Sequence, residues 1–79
     1  LLFDATIEIK GIDRKGMLLD VSKVISDQLG INIHKLTISS DKGIFDGTIE
    51  LRIHDRDEVG VIMDQLKKIE DLQDVQRIL

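Results

Sequence analysis

The period of the apolar residues changes along the chain, and the order of these changes constrains the fold more than any other sequence feature. Apolar and polar residues alternate over residues 3–10, which predicts a half-buried strand. Over residues 17–29 the apolar residues fall on one face of a helix instead, and Gly30 is placed to end it. The beginning of the chain therefore predicts a strand followed by a helix.

A second strand is predicted over residues 31–39, but its apolar phase slips part of the way along. Ile31 and Ile33 are in one phase, whereas the next apolar residues occupy the other. Two consecutive polar residues, His34 and Lys35, lie at the slip. We expect a β-bulge or a sharp twist there, because an extra residue restores the apolar side chains to one face.

A strand–helix–strand pattern completes the chain. The turn composition of Asp41-Lys42-Gly43 predicts a hairpin, and its second strand alternates over residues 46–54. A second helix is expected to begin at Asp55 or Asp57, and residues 72–79 predict a short final strand. The buried stripe of the second helix is expected to contain Val59, Ile62, Met63, Leu66 and Ile69.

The predicted order is β-α-β-β-α-β, and a faint internal repeat accompanies it. Residues 7–14 resemble residues 49–56, with Ile, Glu, Asp and Arg identical at matching places. Two interleaved βαβ halves predict an α+β fold, the ferredoxin-like βαββαβ sandwich, with a four-stranded antiparallel sheet and both helices on one face. Right-handed crossovers place the first and third strands in its centre. Of the two copies only the first has a glycine, Gly16, where the second has Glu58.

Composition narrows the range of functions. With 79 residues the chain forms one domain, 1–79, and its strand-like ends suggest a domain cut from a longer protein. A net charge of −4, with Phe3 and Phe45 as the only aromatic residues, argues against nucleic-acid binding. The absence of cysteine suits a reducing cytoplasm, and no apolar run is long enough to span a membrane.

Nothing in the sequence predicts catalysis, a cofactor or a metal site. His34 and His54 fall on different strands without a close ligand pairing, so surface histidines are the ordinary interpretation. Asp13 and Asp55 are candidate acid–base groups, but each is placed where helix caps occur, and Asp55 with Glu58 has the spacing of a capping box. We therefore expect no catalytic residue.

The turn after the first strand is the best candidate for a ligand site. Free N–H groups around Gly16 would suit a carboxylate, and Met17 and Leu18 add apolar surface. Asn32, at the start of an edge strand, would offer polar atoms to a ligand bound by a second subunit. This reasoning predicts a dimer with ligands between the turn of one chain and the second strand of the other. The alternative is that Gly16 only eases helix packing and Asn32 only caps its strand.

Two segments resemble the ACT domain, a regulatory amino-acid-binding module: DRKGML at residues 13–18 and GINI at residues 30–33. More narrowly, residues 9–16, 47–51 and 75–77 are similar to the C-terminal ACT domain of RelA/SpoT-type enzymes. Those enzymes are GTP pyrophosphokinases that synthesise and hydrolyse (p)ppGpp in the stringent response. The resemblance covers essentially the whole chain.

The resemblance implies a non-catalytic, cytoplasmic homodimer that senses a small amino acid for catalytic domains upstream in the parent chain. The apolar neighbours of the site favour a branched-chain amino acid, and ribosome contact is a further expected role. Two departures are Lys15, where many members have proline, and Met17, where leucine is commoner. The ligand-binding residues implied are Asp13, Arg14, Gly16, Met17, Leu18, Ile31, Asn32 and Ile33.

A competing interpretation assigns the function to the open face of the sheet. In that case the domain docks on a protein or on the ribosome and binds no small molecule. Charge reversal at Glu50 or Arg52 would then disturb binding, whereas a change at Gly16 would not.

Overall fold

The computed structural model describes residues 1–79 and has the predicted element order. The antiparallel sheet has the strand order β2-β3-β1-β4, so the first and third strands are central, and both helices cover one face. The ferredoxin-like prediction is confirmed. The elements are β1 (Phe3–Ile12), α1 (Met17–Ser22), a π-helical segment (Lys23–Gln28), β2 (Asn32–Asp41), β3 (Ile44–Ile53), α2 (Glu58–Leu66) and β4 (Leu72–Arg77).

The core lies between the helices and the inner face of the two central strands. It contains 16 buried apolar side chains and no buried polar side chain. Alternate residues of β1 and β3 supply its floor, with Ile7 and Ile49 completely buried, and Ile62 of α2 is completely buried in the same cluster. Each fully buried aliphatic side chain stabilises the fold by roughly 2 kcal/mol.

The first helix changes its hydrogen-bonding pattern halfway along. α1 passes directly into the π-helical segment, and the Leu29 N–H donates to the Val24 carbonyl five residues earlier, at 3.1 Å. Gly30 then adopts a φ of +64°, which ends the helix as predicted. The predicted extent is confirmed, but the apolar spacing did not reveal the wider turn.

The phase slip in β2 is a β-bulge, as predicted. Ile33 lies opposite Leu51 and Lys35 lies opposite Glu50, so His34 is the extra residue of the ladder. The bulge keeps the apolar residues on both sides of it facing the helices. All of them stay half-buried at this sheet edge, namely Ile31, Ile33, Leu36 and Ile38.

The predicted hairpin between β2 and β3 is confirmed. Lys42 and Gly43 have φ values of +53° and +80°, as expected for the central residues of a type I′ turn. Because Asp41 pairs with Ile44 immediately after this turn, β3 begins two residues earlier than the alternation alone predicts.

The internal repeat corresponds to a pseudo-twofold axis. Ile7 lies directly opposite its own counterpart, Ile49, in the pairing of β1 with β3, so the axis passes between them. The repeat also extends further towards the N-terminus than residues 7–14 indicate, since Phe-Asp at residues 3–4 recurs at residues 45–46. Each β–α turn therefore has a counterpart at the other end of the molecule.

Candidate functional site

A cleft of about 530 Å³ opens where β1 ends and α1 begins. All five site residues predicted from the first β–α turn and the start of the helix line it. The strands add a wall that sequence reasoning did not assign, formed by Ile38 of β2 and Phe45 of β3. The complete lining is Asp13, Arg14, Gly16, Met17, Leu18, Leu19, Ser22, Ile38 and Phe45.

The backbone conformation at residue 16 favours glycine. Its φ is +84°, a region that residues with a Cβ rarely adopt. A Cβ at this position would have only one neighbour within 4 Å, Arg14 Nη1 at 3.7 Å. The glycine therefore does not ease helix packing; it turns the chain into α1 and leaves open space above the turn.

Three of the N–H groups around the start of α1 lack partners. Met17 donates to the Arg14 carbonyl at 3.3 Å, but the N–H groups of Gly16, Leu18 and Leu19 have no acceptor in the chain. Unpaired N–H groups at the start of a helix favour an anion such as a carboxylate. The donors needed for the predicted carboxylate site are therefore available beside the cleft.

Five of the nine residues that line the cleft are apolar. Met17 and Phe45 are buried at its base, and Ile38 is half-buried. The other two apolar lining residues, Leu18 and Leu19, are 51% and 56% exposed. The cleft can therefore cover an apolar side chain next to the unpaired N–H groups.

The prediction that Asp13 caps a helix is wrong. The residue before α1 is Gly16, and no side chain bonds to the helix N-terminus. The Asp13 backbone N–H donates to the Gly43 carbonyl at 2.9 Å, but its exposed carboxylate accepts no hydrogen bond. That carboxylate is left at the rim of the cleft, where it can accept bonds from a cationic group.

The capping box predicted for the second helix does not form either. Asp55 accepts a bond from the Asp57 N–H at 2.9 Å, while the Glu58 N–H reaches the Asp55 backbone carbonyl at 3.0 Å. Because α2 starts at Glu58 itself, Asp55 closes a turn ahead of the helix.

Arg14 lines the cleft, but its guanidinium group is held by other parts of the chain. Nη2 donates to Asp20 Oδ2 at 2.8 Å and to the Glu70 carbonyl at 2.9 Å. Nε lies 3.3 Å from Asp71 Oδ2, and Nη1 donates to the Lys15 carbonyl at 3.2 Å. The hydrogen bond to Asp20 raises the pKa of Arg14 above its ordinary value. The side chain is 25% exposed, so few of its donors remain for a ligand.

The second half of the predicted site lies at the opposite end of the sheet. Asn32 pairs with Arg52, and Arg52 pairs with Asp4 near the start of β1. At about 3.3 Å per residue this is roughly 30 Å from the turn at Asp13. One chain therefore does not bring Ile31, Asn32 and Ile33 to the cleft.

Other classes of site find little support in the arrangement of side chains. No group of three or more His, Asp or Glu residues is placed to hold a metal ion. Neither helix is long and apolar enough to cross a bilayer.

Comparison with known proteins identifies relatives of the whole chain. The family model of the ACT domain matches residues 2–77. A solution structure of the ACT domain from the GTP pyrophosphokinase of Chlorobium tepidum is 30% identical in sequence, with a TM-score of 0.84. The match covers 98% of this chain and 86% of the Chlorobium chain. A crystal structure of that domain is 29% identical, with a TM-score of 0.87, and the match covers 99% of this chain and 100% of the Chlorobium chain.

A more distant likeness concerns the fold alone. The small subunit of acetolactate synthase from Thermotoga maritima is 19% identical, with a TM-score of 0.83, and the match covers 98% of this chain and 48% of that one. None of the curated protein sequences compared with the chain matches it.

Proposed function

Since the chain belongs to the ACT domain family, we propose that it is an amino-acid-sensing, dimeric regulatory module of a (p)ppGpp synthetase/hydrolase of the GTP pyrophosphokinase type. ACT domains are regulatory and non-catalytic. The likeness to the Chlorobium domain supports this parent enzyme and hence a role in the stringent response. The absence of cysteine supports a cytoplasmic location.

One observation carries the ligand proposal: unpaired backbone N–H groups lie beside an apolar cleft with a free carboxylate at its rim. The N–H groups of Gly16 and Leu18 bind the ligand carboxylate, and Asp13 accepts bonds from its ammonium group. The apolar walls, including Ile38 and Phe45, contact the side chain. A branched-chain amino acid suits this arrangement, because it carries both charges and buries apolar surface.

The dimer proposal rests on the free edge of β2. This strand has ten residues, and its apolar side chains are half-buried, so a partner strand would cover more of them. A second β2 paired antiparallel runs in the opposite direction. Asn32 of the partner subunit then comes beside the Asp41 end of the first strand, where Ile38 lines the cleft. The two predicted halves of the site, including Ile31 and Ile33 of the partner subunit, meet in this way.

Thermal unfolding with each common amino acid tests the ligand. At a hundredfold excess over Kd, binding adds about 2.7 kcal/mol, so Tm should rise on the order of 10 °C. Gly16→Asp should abolish this rise, because its carboxylate repels the ligand carboxylate and its Cβ occupies the open space. Gly43→Asp is the matched control, since Gly43 also has a positive φ and open space but lies outside the cleft.

A flat response to every amino acid in the unsubstituted protein would rule out amino-acid sensing.

The variant Asn32→Ala tests the second half of the site, with sedimentation to follow the dimer and thermal unfolding to follow ligand binding. The variant should remain a dimer with weaker ligand binding, because the amide contacts the ligand and the β2 backbone makes the dimer. Unchanged binding would remove Asn32 from the site.

A docking function on the open sheet face has one specific observation in its favour. Ile12 and Ile44 pair directly there and are 42% and 52% exposed. A ribosomal or protein partner would cover them together with the surrounding charges. Glu50→Lys should then weaken partner binding while Gly16→Asp has no effect, which is the reverse of the pattern expected for amino-acid sensing.

A further inference from the structure

We infer that Arg14 is a positioning residue that fastens the first β–α turn to the turn between α2 and β4, and so couples occupancy of the cleft to that distant turn. The second part of this inference rests on the proposed function; the first part does not. Arg14 thereby acts through the turn it holds and not by contact with the ligand.

The contacts of the guanidinium group join elements that are far apart in sequence. It bonds to Asp20 in α1 and to the Glu70 carbonyl, 56 residues away. Its Nε pairs with Asp71, whose side chain is 34% exposed. The guanidinium group is rigid and planar, and its bonds point in different directions. Together they hold the turn in one position, which attraction between charges alone would not do.

The far side of this link cannot move independently of β1. The Asp71 carbonyl accepts a bond from the Ile12 N–H at 3.0 Å, and the backbone at Asp71 holds a φ of +71°. Gly11 lies so close beneath it that an added Cβ would collide with the Asp71 carbonyl oxygen. A displacement of the first β–α turn is therefore passed to the start of β4 through both Arg14 and the end of β1.

Arg14 also separates two cavities. It lines the cleft and a second groove of about 230 Å³, which is bounded by Lys23 and Gln28 of the π-helical segment and by Ile69 and Glu70. When the cleft is filled, the groove thus leaves the guanidinium room to shift away from the cleft.

Arg56, the repeat counterpart of Arg14, makes a different contact. Arg56 lies over the ring of Phe3, 5.0 Å from its centre. Phe3 is the repeat counterpart of Phe45, which lines the cleft. Since Arg14 is held by Asp20 and the distant turn, it does not cover Phe45 in the same way, and the cleft stays open.

The first test needs no ligand. Asp71→Asn, in the full 79-residue chain, removes the charge that pairs with Arg14. We expect the hydrogen-bonded amides of the first β–α turn and the start of α1, those of Asp13, Met17 and Asp20, to exchange about tenfold faster. Asp74→Asn is the control, because this carboxylate of β4 bonds only to Gln76. Equal exchange at the first β–α turn in both variants would overturn the inference.

The second test uses Arg14→Lys, which keeps the positive charge but loses the several donors of the guanidinium group. Arg56→Lys, at the matching position of the repeat, is the control. Titration with L-isoleucine should show about tenfold weaker binding in Arg14→Lys, and amide shifts at Glu70 and Asp71 on binding should disappear. Both should persist in Arg56→Lys. If isoleucine and the other amino acids fail to bind the unsubstituted chain, the proposed function fails, whereas the exchange experiment still decides the role of Arg14. Equal isoleucine affinity in both lysine variants would contradict the coupling.

Discussion

The first β–α turn (residues 13–16) and the second (residues 55–58) begin with the same Asp-Arg pair but form different structures. In the first, Gly16 has a φ of +84° and turns the chain directly into α1 beside the apolar cleft. In the second, Asp55 accepts a bond from the Asp57 N–H and closes a turn of its own. The comparison indicates that the glycine, and not the Asp-Arg pair, distinguishes the turn that lies beside the apolar cleft.

The aromatic residues next to the two turns differ in the same sense. Phe45 lies opposite Gly11 and is 1% exposed, whereas Phe3 lies opposite Ile53 and is only half-buried. The absence of a side chain at Gly11 lets the Phe45 ring approach β1, since an added Cβ would lie 2.8 Å from Cε1 of that ring. One copy thus has a floor for a cleft, and the other has a ring covered by Arg56.

The largest expected difference between the copies comes from removing each ring. Phe45→Ala should reduce the free energy of unfolding by about 4 kcal/mol, because the ring is fully buried in the core. Phe3→Ala should cost about half of that, roughly 2 kcal/mol. Denaturant unfolding of both variants gives the comparison. Equal losses would mean that the two rings do not differ in packing.

An intermediate effect is expected from Gly11→Ala, which inserts a methyl group between β1 and Asp71. The collision should destabilise the protein by about 3 kcal/mol. Gly60→Ala is the matched control, because nothing lies within 4 Å of an added Cβ in that helix and alanine favours helix. It should raise stability by up to about 1 kcal/mol. Losses of similar size in both variants would contradict the close approach at Gly11.

The smallest effect concerns the cation–π contact of the second copy. Arg56→Ala should lower stability by about 0.5 kcal/mol, because the pair lies at an exposed site. A double-mutant cycle with Phe3→Leu isolates the contact from other changes. A coupling energy of zero would show that Arg56 only passes over the ring without stabilising the second turn.

Most of the fold could be predicted from the sequence because it follows from local periodicity. Alternation in β1 and β3 and the helical spacing from Met17 onward fix the element order, and the phase slip around His34 revealed the bulge. The π-helical segment could not be predicted in this way, since its apolar residues fit an ordinary helix equally well. The helix caps at Asp13 and Asp55 were expected from residue type and spacing, and backbone conformation decided otherwise.

The candidate site was predictable only on the side that is local in sequence. The five predicted residues between Asp13 and Leu18 are close neighbours along the chain, so one cleft contains them, whereas Lys15 does not line it. Ile38 and Phe45 reach the cleft through strand pairing, which local periodicity does not reveal. The bond from Arg14 to the Glu70 carbonyl depends on packing between distant turns, and no local pattern encodes it.

The strand order has a consequence for how the molecule gains and loses structure. β1 and β2 come from the first half of the repeat and β3 and β4 from the second, so in the order β2-β3-β1-β4 every neighbouring pair joins one half to the other. Neither half can complete a sheet from its own strands. The domain should therefore melt as a single cooperative unit, and anything bound at one end will protect the strand at the far edge as well.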